Sequence, residues 1–309
     1  MFKQKYLADL VLLLVTVVWG TTFVVVQNAI RFLPPNTFNG IRFLIASIFL
    51  LGIILIFFPY ELKNISKNTL KAGGIIGFFL FVGYALQTIG LVYTTPAKSA
   101  FITGLSVVLV PIFAFSILKI KPNINAIIGV SIAAIGLYFL TIGDSFIPNI
   151  GDLLTLGCAI SFAFQIVFVS NYANKFSAII LAWLQISLVA LLSLVFAYLF
   201  EQVNLNTLSN ALMAKEFLFF LLITSIFATA IAFIVQVKFQ AYTSPTHVAI
   251  IFATEPVFGA LTSYLVNGEL LSLQGWLGSG LILLGVLITE LPTSLLFYKE
   301  KIFINRKER

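Results

Sequence analysis

Apolar runs of about twenty residues follow one another along almost the whole chain, and a helix of that length crosses roughly 30 Å of hydrocarbon. Ten such segments are expected, at residues 8–30, 36–58, 72–93, 97–118, 124–142, 151–172, 178–200, 215–241, 246–267 and 272–291. Charged residues make up only 9% of the chain and mean hydropathy is +1.09. A soluble domain carries about 25% charged residues, and a surface this poor in charge aggregates in water. The expected fold class is therefore an all-α polytopic membrane protein. The first segment is too long for a removed signal peptide and lacks a small-residue cleavage site after it, so it is read as a span.

The chain also repeats itself. Residues 93–100 read "YTTPAKSA" and residues 242–249 read "YTSPTHVA", 149 positions apart. The same spacing carries Gln87 onto Gln236, Gly129 onto Gly278 and Gly136 onto Gly285. A spacing of 143 carries Asp9 onto Asp152 and Asn28 onto Asn171. So many matches in one order mark a tandem duplication, with a first five-helix repeat over 1–143, a second over 150–292 and a basic tail over 293–309. Because five is odd, the second copy enters the membrane upside down relative to the first. Inverted repeats of this kind build many secondary transporters, whose substrate site lies near the midplane at the repeat interface.

The loops are short and marked by proline and asparagine, as in "FLPPNT" at 32–37, "IKPNIN" at 120–125 and "SFIPNI" at 145–150. The longer ones cover 59–71 and 201–214. With the N-terminus inside, 14 of the 18 lysines and arginines fall on the cytoplasmic side, and Arg31, Arg42, Lys98 and Lys215 fall outside. The positive-inside rule thus places both termini in the cytoplasm of a cell (plasma or inner) membrane. This bias accounts for the net charge of +7 without a nucleic-acid partner. The tail is expected either to lie along anionic lipid or simply to anchor the topology.

Several stretches carry a family resemblance: "WGTTF" at 19–23, "IRFLIA" at 41–46, "SAFITGLSVVLVP" at 99–111, "GDLLTLGCAISFA" at 151–163 and "TEPVFGALTSYLVNGELLSLQGWLGSGLILLGV" at 254–286. Together with the ten-segment layout, they resemble EamA-like members of the drug/metabolite transporter superfamily over nearly the whole chain. The chain departs from that pattern where the first copy reads "LKIKPN" after its fourth segment instead of a Gly-Glu. The resemblance implies a transporter of small metabolites, often amino acids, with a central cavity lined by segments one, three, four, six, eight and nine.

Helical spacing supplies cavity candidates independently. Gly73, Gly77, Tyr84 and Gln87 share one face of segment three. Ser225, Thr229, Ala232 and Gln236 share one face of segment eight. Segment one offers Thr16, Gly20 and Gln27, with Trp19 beside them, and segment six offers Gly157, Ser161 and Gln165. Small residues on such stripes also serve as packing seams between helices. The substrate-binding set expected from these stripes is Trp19, Tyr84, Gln87, Ser161, Gln165 and Gln236, together with Glu255.

Glu255 lies about nine residues into segment nine, roughly 13 Å from its start, and Pro256 frees the carbonyl of Phe252 beside it. A carboxylate at that depth is costly unless paired or wet. Two readings stand side by side: a site for an ammonium group or a proton, and an ion pair with Arg42, the other deep charge. His247 is read as a helix-end group rather than a coupling site, with Lys98 as its first-copy equivalent, and Cys158 as unreactive.

One histidine and one cysteine supply neither a metal-ligand cluster nor a catalytic constellation. The glycines at 73, 74 and 77 open a membrane segment, not a phosphate-binding loop. No enzyme activity or cofactor is expected. The expected function is secondary transport, as an exporter, of small polar or zwitterionic solutes such as amino acids by alternating access, with proton coupling permitted by Glu255. Oligomeric state is open. A solute channel, or a non-transporting receptor or assembly protein, is the alternative. Several deep cations would be needed for phosphates, and they are lacking.

Overall fold

The computed structural model describes residues 2–141, 149–267 and 272–291. The linker at 142–148, Glu269 and the basic tail at 293–309 lie outside the described residues. In chain order the helices are α1 (Phe2–Ala29), α2 (Pro35–Phe57), α3 (Pro59–Lys63), α4 (Lys67–Gly90), α5 (Pro96–Gly104), α6 (Ser106–Leu118), α7 (Ile124–Thr141), α8 (Ile150–Tyr172) and α9 (Ala178–Phe200). Then follow α10 (Leu205–Met213), α11 (Lys215–Leu222), a π-helix (Ile223–Ile231), α12 (Ala232–Gln240), α13 (Pro245–Phe252), α14 (Glu255–Asn267) and α15 (Leu273–Glu290). Among the described residues, seven helical stretches are long and apolar enough to cross a membrane, and Ile124–Phe139 and Leu273–Thr289 are shorter apolar helices. The chain is an all-helical polytopic membrane protein.

The repeated phrase is a helix start. In the first copy Thr95 caps α5 by accepting the Lys98 N–H, with Pro96 in the first helical position. In the second, Ser244 caps α13 by accepting the His247 N–H, with Pro245 in that position. A hydroxyl cap satisfies an orphan N–H, and proline suits a site that needs no donor. Each turn also approaches the aspartate that opens the other copy. The Thr94 hydroxyl donates to Asp152 at 2.6 Å, while His247 Nε2 lies 3.7 Å from Asp9. Asp152 is at the same time half of a capping box with Asn149.

Three expected segments are not the uniform α-helices that their hydropathy suggested. The fourth divides at Leu105 into α5 and α6, and the ninth divides at Ala253 and Thr254 into α13 and α14. These breaks lie 149 residues apart. In the ninth, Pro256 cannot donate to Phe252, so α13 ends there and the proline sits in the first turn of α14, where no donor is needed. Pro111 plays no such part, because it lies inside α6. The eighth segment carries the π-helix. The loops expected at 59–71 and 201–214 contain α3 and α10.

The duplicated glycines meet across the structure. A Cβ on Gly129 would stand 2.7 Å from Gly285 O, and one on Gly285 would stand 2.7 Å from Gly129 O. Likewise, a Cβ on Gly136 would stand 2.7 Å from Gly278 O. Thus α7 and α15 run at backbone contact, and each glycine faces the copy of the other pair's member. Small residues permit this approach where lipid tails give helices no hydrophobic reason to associate.

At the end of α9, the Glu201 carboxylate accepts from Asn36 N (2.7 Å), Asn36 Nδ2 (2.9 Å), Thr37 N (2.7 Å) and Thr37 Oγ1 (2.7 Å). It caps α2 from another element, satisfying orphan N–H groups with an anion at the positive helix end. Glu201→Gln turns one acceptor oxygen into a donor facing other donors. We expect a loss of about 1.5–3 kcal/mol of stability, the range for a hydrogen bond to a charged group. A lowered thermal unfolding midpoint in detergent checks it; an unchanged midpoint refutes it.

Candidate functional site

The two helix breaks face one cavity at the centre of the bundle. It is lined by Thr103 and Gly104 before the first break, by Ser106 after it, by Phe252 before the second and by Glu255 after that. Trp19, Thr22, Phe23 and Val26 line it from α1, and Leu80, Tyr84 and Gln87 from α4, with Leu91 just beyond. Phe162, Gln165 and Ile166 contribute from α8, and Phe233 and Gln236 from α12. Paired interruptions at equivalent positions of two repeats are how inverted-repeat transporters mark their substrate site.

Trp19 packs edge-on against Phe252 at 5.1 Å and tilted against Phe233 at 5.4 Å, and its indole N–H donates to Ala228 O at 2.9 Å. Tyr84 meets Phe43, Phe162 and Phe233. Gln87 donates to Thr103 Oγ1 at 3.2 Å. Opposite it, Gln165 and Gln236 exchange amide hydrogen bonds of 3.1 and 3.3 Å, and Gln165 also donates to Gln185 at 3.1 Å. The wall is thus mostly apolar with a few polar groups converging on the space.

Two charges complete it. Arg42 comes from α2, an element outside the six segments that the family resemblance implied. It is 2% exposed; its Nε donates to Thr229 Oγ1 at 2.8 Å, and its guanidinium lies 5.1 Å from the Tyr84 ring centre and 5.3 Å from that of Phe43. Ring faces stabilise a desolvated guanidinium. Glu255 is the first residue of α14, where the helix dipole favours an anion. Gly20 lets α1 come down on this helix start, because a Cβ there would stand 2.5 Å from Glu255 O. No ion pair joins Arg42 and Glu255 among the described residues. The two face the same space from different helices.

Of the side chains expected to bind substrate, Trp19, Tyr84, Gln87, Gln165, Gln236 and Glu255 line the cavity and Ser161 does not. Its hydroxyl donates to Gly157 O one turn back in its own helix. Gly73 and Gly77 pack on Leu184 and Gln185, and Gly157 on Leu86, so these are seams. Thr16 bonds Thr254 across a helix contact, and Thr229 stands behind the wall holding Arg42. Gln27 does not reach the cavity. Phe233 was missed, although the spacing of 149 that maps Gln87 onto Gln236 also maps Tyr84 onto it.

Comparison with known proteins agrees with this architecture. The model of the EamA-like transporter family matches twice, at residues 6–142 and 149–291. An uncharacterized transporter of Archaeoglobus fulgidus is 37% identical over 94% of this chain and 87% of its own length. The uncharacterized transporter YoaV of Bacillus subtilis is 25% identical, covering 91% of this chain and 95% of that one. The uncharacterized inner membrane transporter YedA of Escherichia coli K12 is 24% identical over 89% and 88%. A solved crystal structure superposes with a TM-score of 0.73 at 17% identity, covering 92% of this chain and 96% of the other. The chain belongs to the EamA-like transporter family.

Proposed function

We propose that the protein is a secondary transporter, working as an exporter, of small zwitterionic organic solutes such as amino acids, by alternating access around the central cavity. The observation that carries this is the cavity between two helix breaks, with one guanidinium and one carboxylate on its wall that do not neutralise each other. Arg42 suits a solute carboxylate and Glu255 its ammonium group. In this reading the chain has ten spans in two inverted five-span repeats, 1–143 and 150–292, with both termini cytoplasmic. The reciprocal glycine contacts of α7 and α15 are those that a two-fold axis in the membrane plane would generate.

In this reading access is one-sided. The lining runs out along α1 to Val26 and past α4 to Leu91, toward the face where both helices end. Toward the opposite face it stops at Gln165, Ile166 and Gln236. Just beyond, Gln240 Nε2 donates to Ile166 O at 2.6 Å and to Ser170 Oγ at 2.7 Å, joining α12 to α8. In the proposed topology the cavity opens outward and these glutamines close the cytoplasmic side.

Counterflow in proteoliposomes tests the transport reading against its rivals. Vesicles preloaded with unlabelled leucine should take up labelled leucine several-fold faster than empty ones. A channel gives no such trans-stimulation, and a receptor gives no uptake above protein-free vesicles. Either result, across a panel of amino acids, defeats the proposal.

A further inference from the structure

The π-helix of the eighth segment holds two cavity side chains. The Ala232 N–H is shared between Phe227 O, five residues back, and Thr229 O, three back, and passes over Ala228 O, the acceptor that an α-helix would use. Ala228 O instead accepts the Trp19 indole N–H. One residue on, Thr229 gives its single hydroxyl hydrogen to Thr224 O, also five residues back, at 2.8 Å. With that hydrogen committed, only lone pairs remain, and they accept Arg42 Nε at 2.8 Å. Thr229 is fully buried, so no water competes for the arrangement. π-type hydrogen bonding within α-helices is frequent at functional sites.

We propose that Thr229 is a positioning residue, whose hydroxyl orients the Arg42 guanidinium so that its terminal nitrogens face the cavity and select solutes that carry a carboxylate. The inference rests on the zwitterion reading above and deepens it. With Nε pinned by Thr229 and the guanidinium held against Tyr84 and Phe43, the fork is set before a solute arrives. A pre-oriented fork binds a carboxylate through two parallel N–H···O bonds, which a lysine or a freely turning arginine would not reproduce. The arrangement exists once. By the repeat spacings, Thr229 corresponds to Leu80 and Arg42 to Gln185. The cavity therefore has one contact for a carboxylate, from α2 and the π-helix, and one for an ammonium group, at the start of α14.

Calorimetric titration of the purified full-length chain in detergent tests this with two probes, L-leucine and L-leucinamide, which has the ammonium group but no carboxylate. Wild type should bind leucine about tenfold or more tighter than leucinamide, as one charge-assisted hydrogen-bonded contact provides. Thr229→Val, nearly equal in volume but without the hydroxyl, should weaken leucine to within about threefold of leucinamide while leaving leucinamide unchanged. Thr229→Ser should restore the discrimination. A merely structural role would weaken both probes equally in Thr229→Val, and that result overturns the proposal, as does a Thr229→Val protein that still discriminates. Equal binding of the two probes by wild type overturns it while leaving the Glu255–ammonium contact standing. Binding of neither probe by wild type defeats the zwitterion reading itself, and the proposal with it.

Discussion

Glu255→Gln should reduce net solute flux to the level of protein-free vesicles while leaving the folded protein nearly as stable as wild type. The stability half follows from the absence of an Arg42–Glu255 ion pair. Breaking a buried pair costs about 3–5 kcal/mol because the remaining charge is stranded. Here Arg42 keeps its own supports, the Thr229 hydroxyl and the faces of Tyr84 and Phe43. The amide keeps the volume and one acceptor and removes a charge whose burial is unfavourable. A change of no more than about 1 kcal/mol is expected, the size typical of single substitutions outside a broken network.

The flux half follows from position. Glu255 stands at the second helix break, on the cavity wall that it shares with Arg42. An ammonium group bound there loses its counter-charge in the amide, and a proton bound there has no place to bind. The two cases separate in one assay. If Glu255 carries a coupling proton, the variant loses uphill transport but still exchanges solute for solute; if it binds the ammonium group, exchange is lost as well. A sharp drop in thermal stability, recovered in an Arg42→Gln double variant, would show that the two charges compensate each other at a distance. Unchanged flux in a stable variant would remove Glu255 from the mechanism.

Sequence and structure agree most closely where one property alone decides the outcome. Hydropathy located the helices because the hydrocarbon leaves a backbone few other ways to satisfy its polar groups. The spacing of 149 marked Gly129, Gly136, Gly278 and Gly285 as copies, and only the structure shows that they meet in a seam. The spacing also pointed to Gln87 and Gln236. Stripes of small residues were less informative. Gly73, Gly77 and Gly157 lie on the same helix faces as cavity residues, yet a glycine fits a helix contact as readily as a cavity wall. Ser161 lies off the cavity lining, and its hydroxyl takes the acceptor that its own helix offers one turn back. The break at Leu105 has no proline to announce it and is visible in the sequence only through its copy at Thr254. The π-helix has no local signature, since its hydrogen bonds depend on Trp19 and Arg42 arriving from distant segments.

Gln240→Leu should convert a one-sided cavity into one reachable from both faces. The argument begins with the repeat. The closing contacts on one side involve Gln165, Ile166 and Ser170 of α8 with Gln236 and Gln240 of α12. Their first-copy counterparts are Thr22, Phe23 and Gln27 with Gln87 and Leu91. On that side Thr22 bonds back to Trp19 O and Gln87 turns to Thr103, so α1 and α4 are not joined. When access reverses, Leu91 offers α1 no hydrogen bond in place of those made by Gln240. The closed second-copy side therefore holds interactions that a closed first-copy side cannot match, and in the proposed topology and mechanism the resting protein faces outward. Replacing Gln240 with the residue that occupies its counterpart removes that bias, worth about 1 kcal/mol per net hydrogen bond and hence about a fivefold or larger shift in a two-state population. The equivalent positions Val26, on the cavity wall, and Val169, fully buried, report it. In a Cys158→Ala background, a membrane-impermeant maleimide should label Val26→Cys from outside, and should not label Val169→Cys from inside. Adding Gln240→Leu should raise labelling of Val169→Cys from the cytoplasmic face at least severalfold and slow that of Val26→Cys. Labelling of Val169→Cys before Gln240 is changed would mean that the glutamines do not close that side, and no increase afterwards would mean that they do not hold it closed.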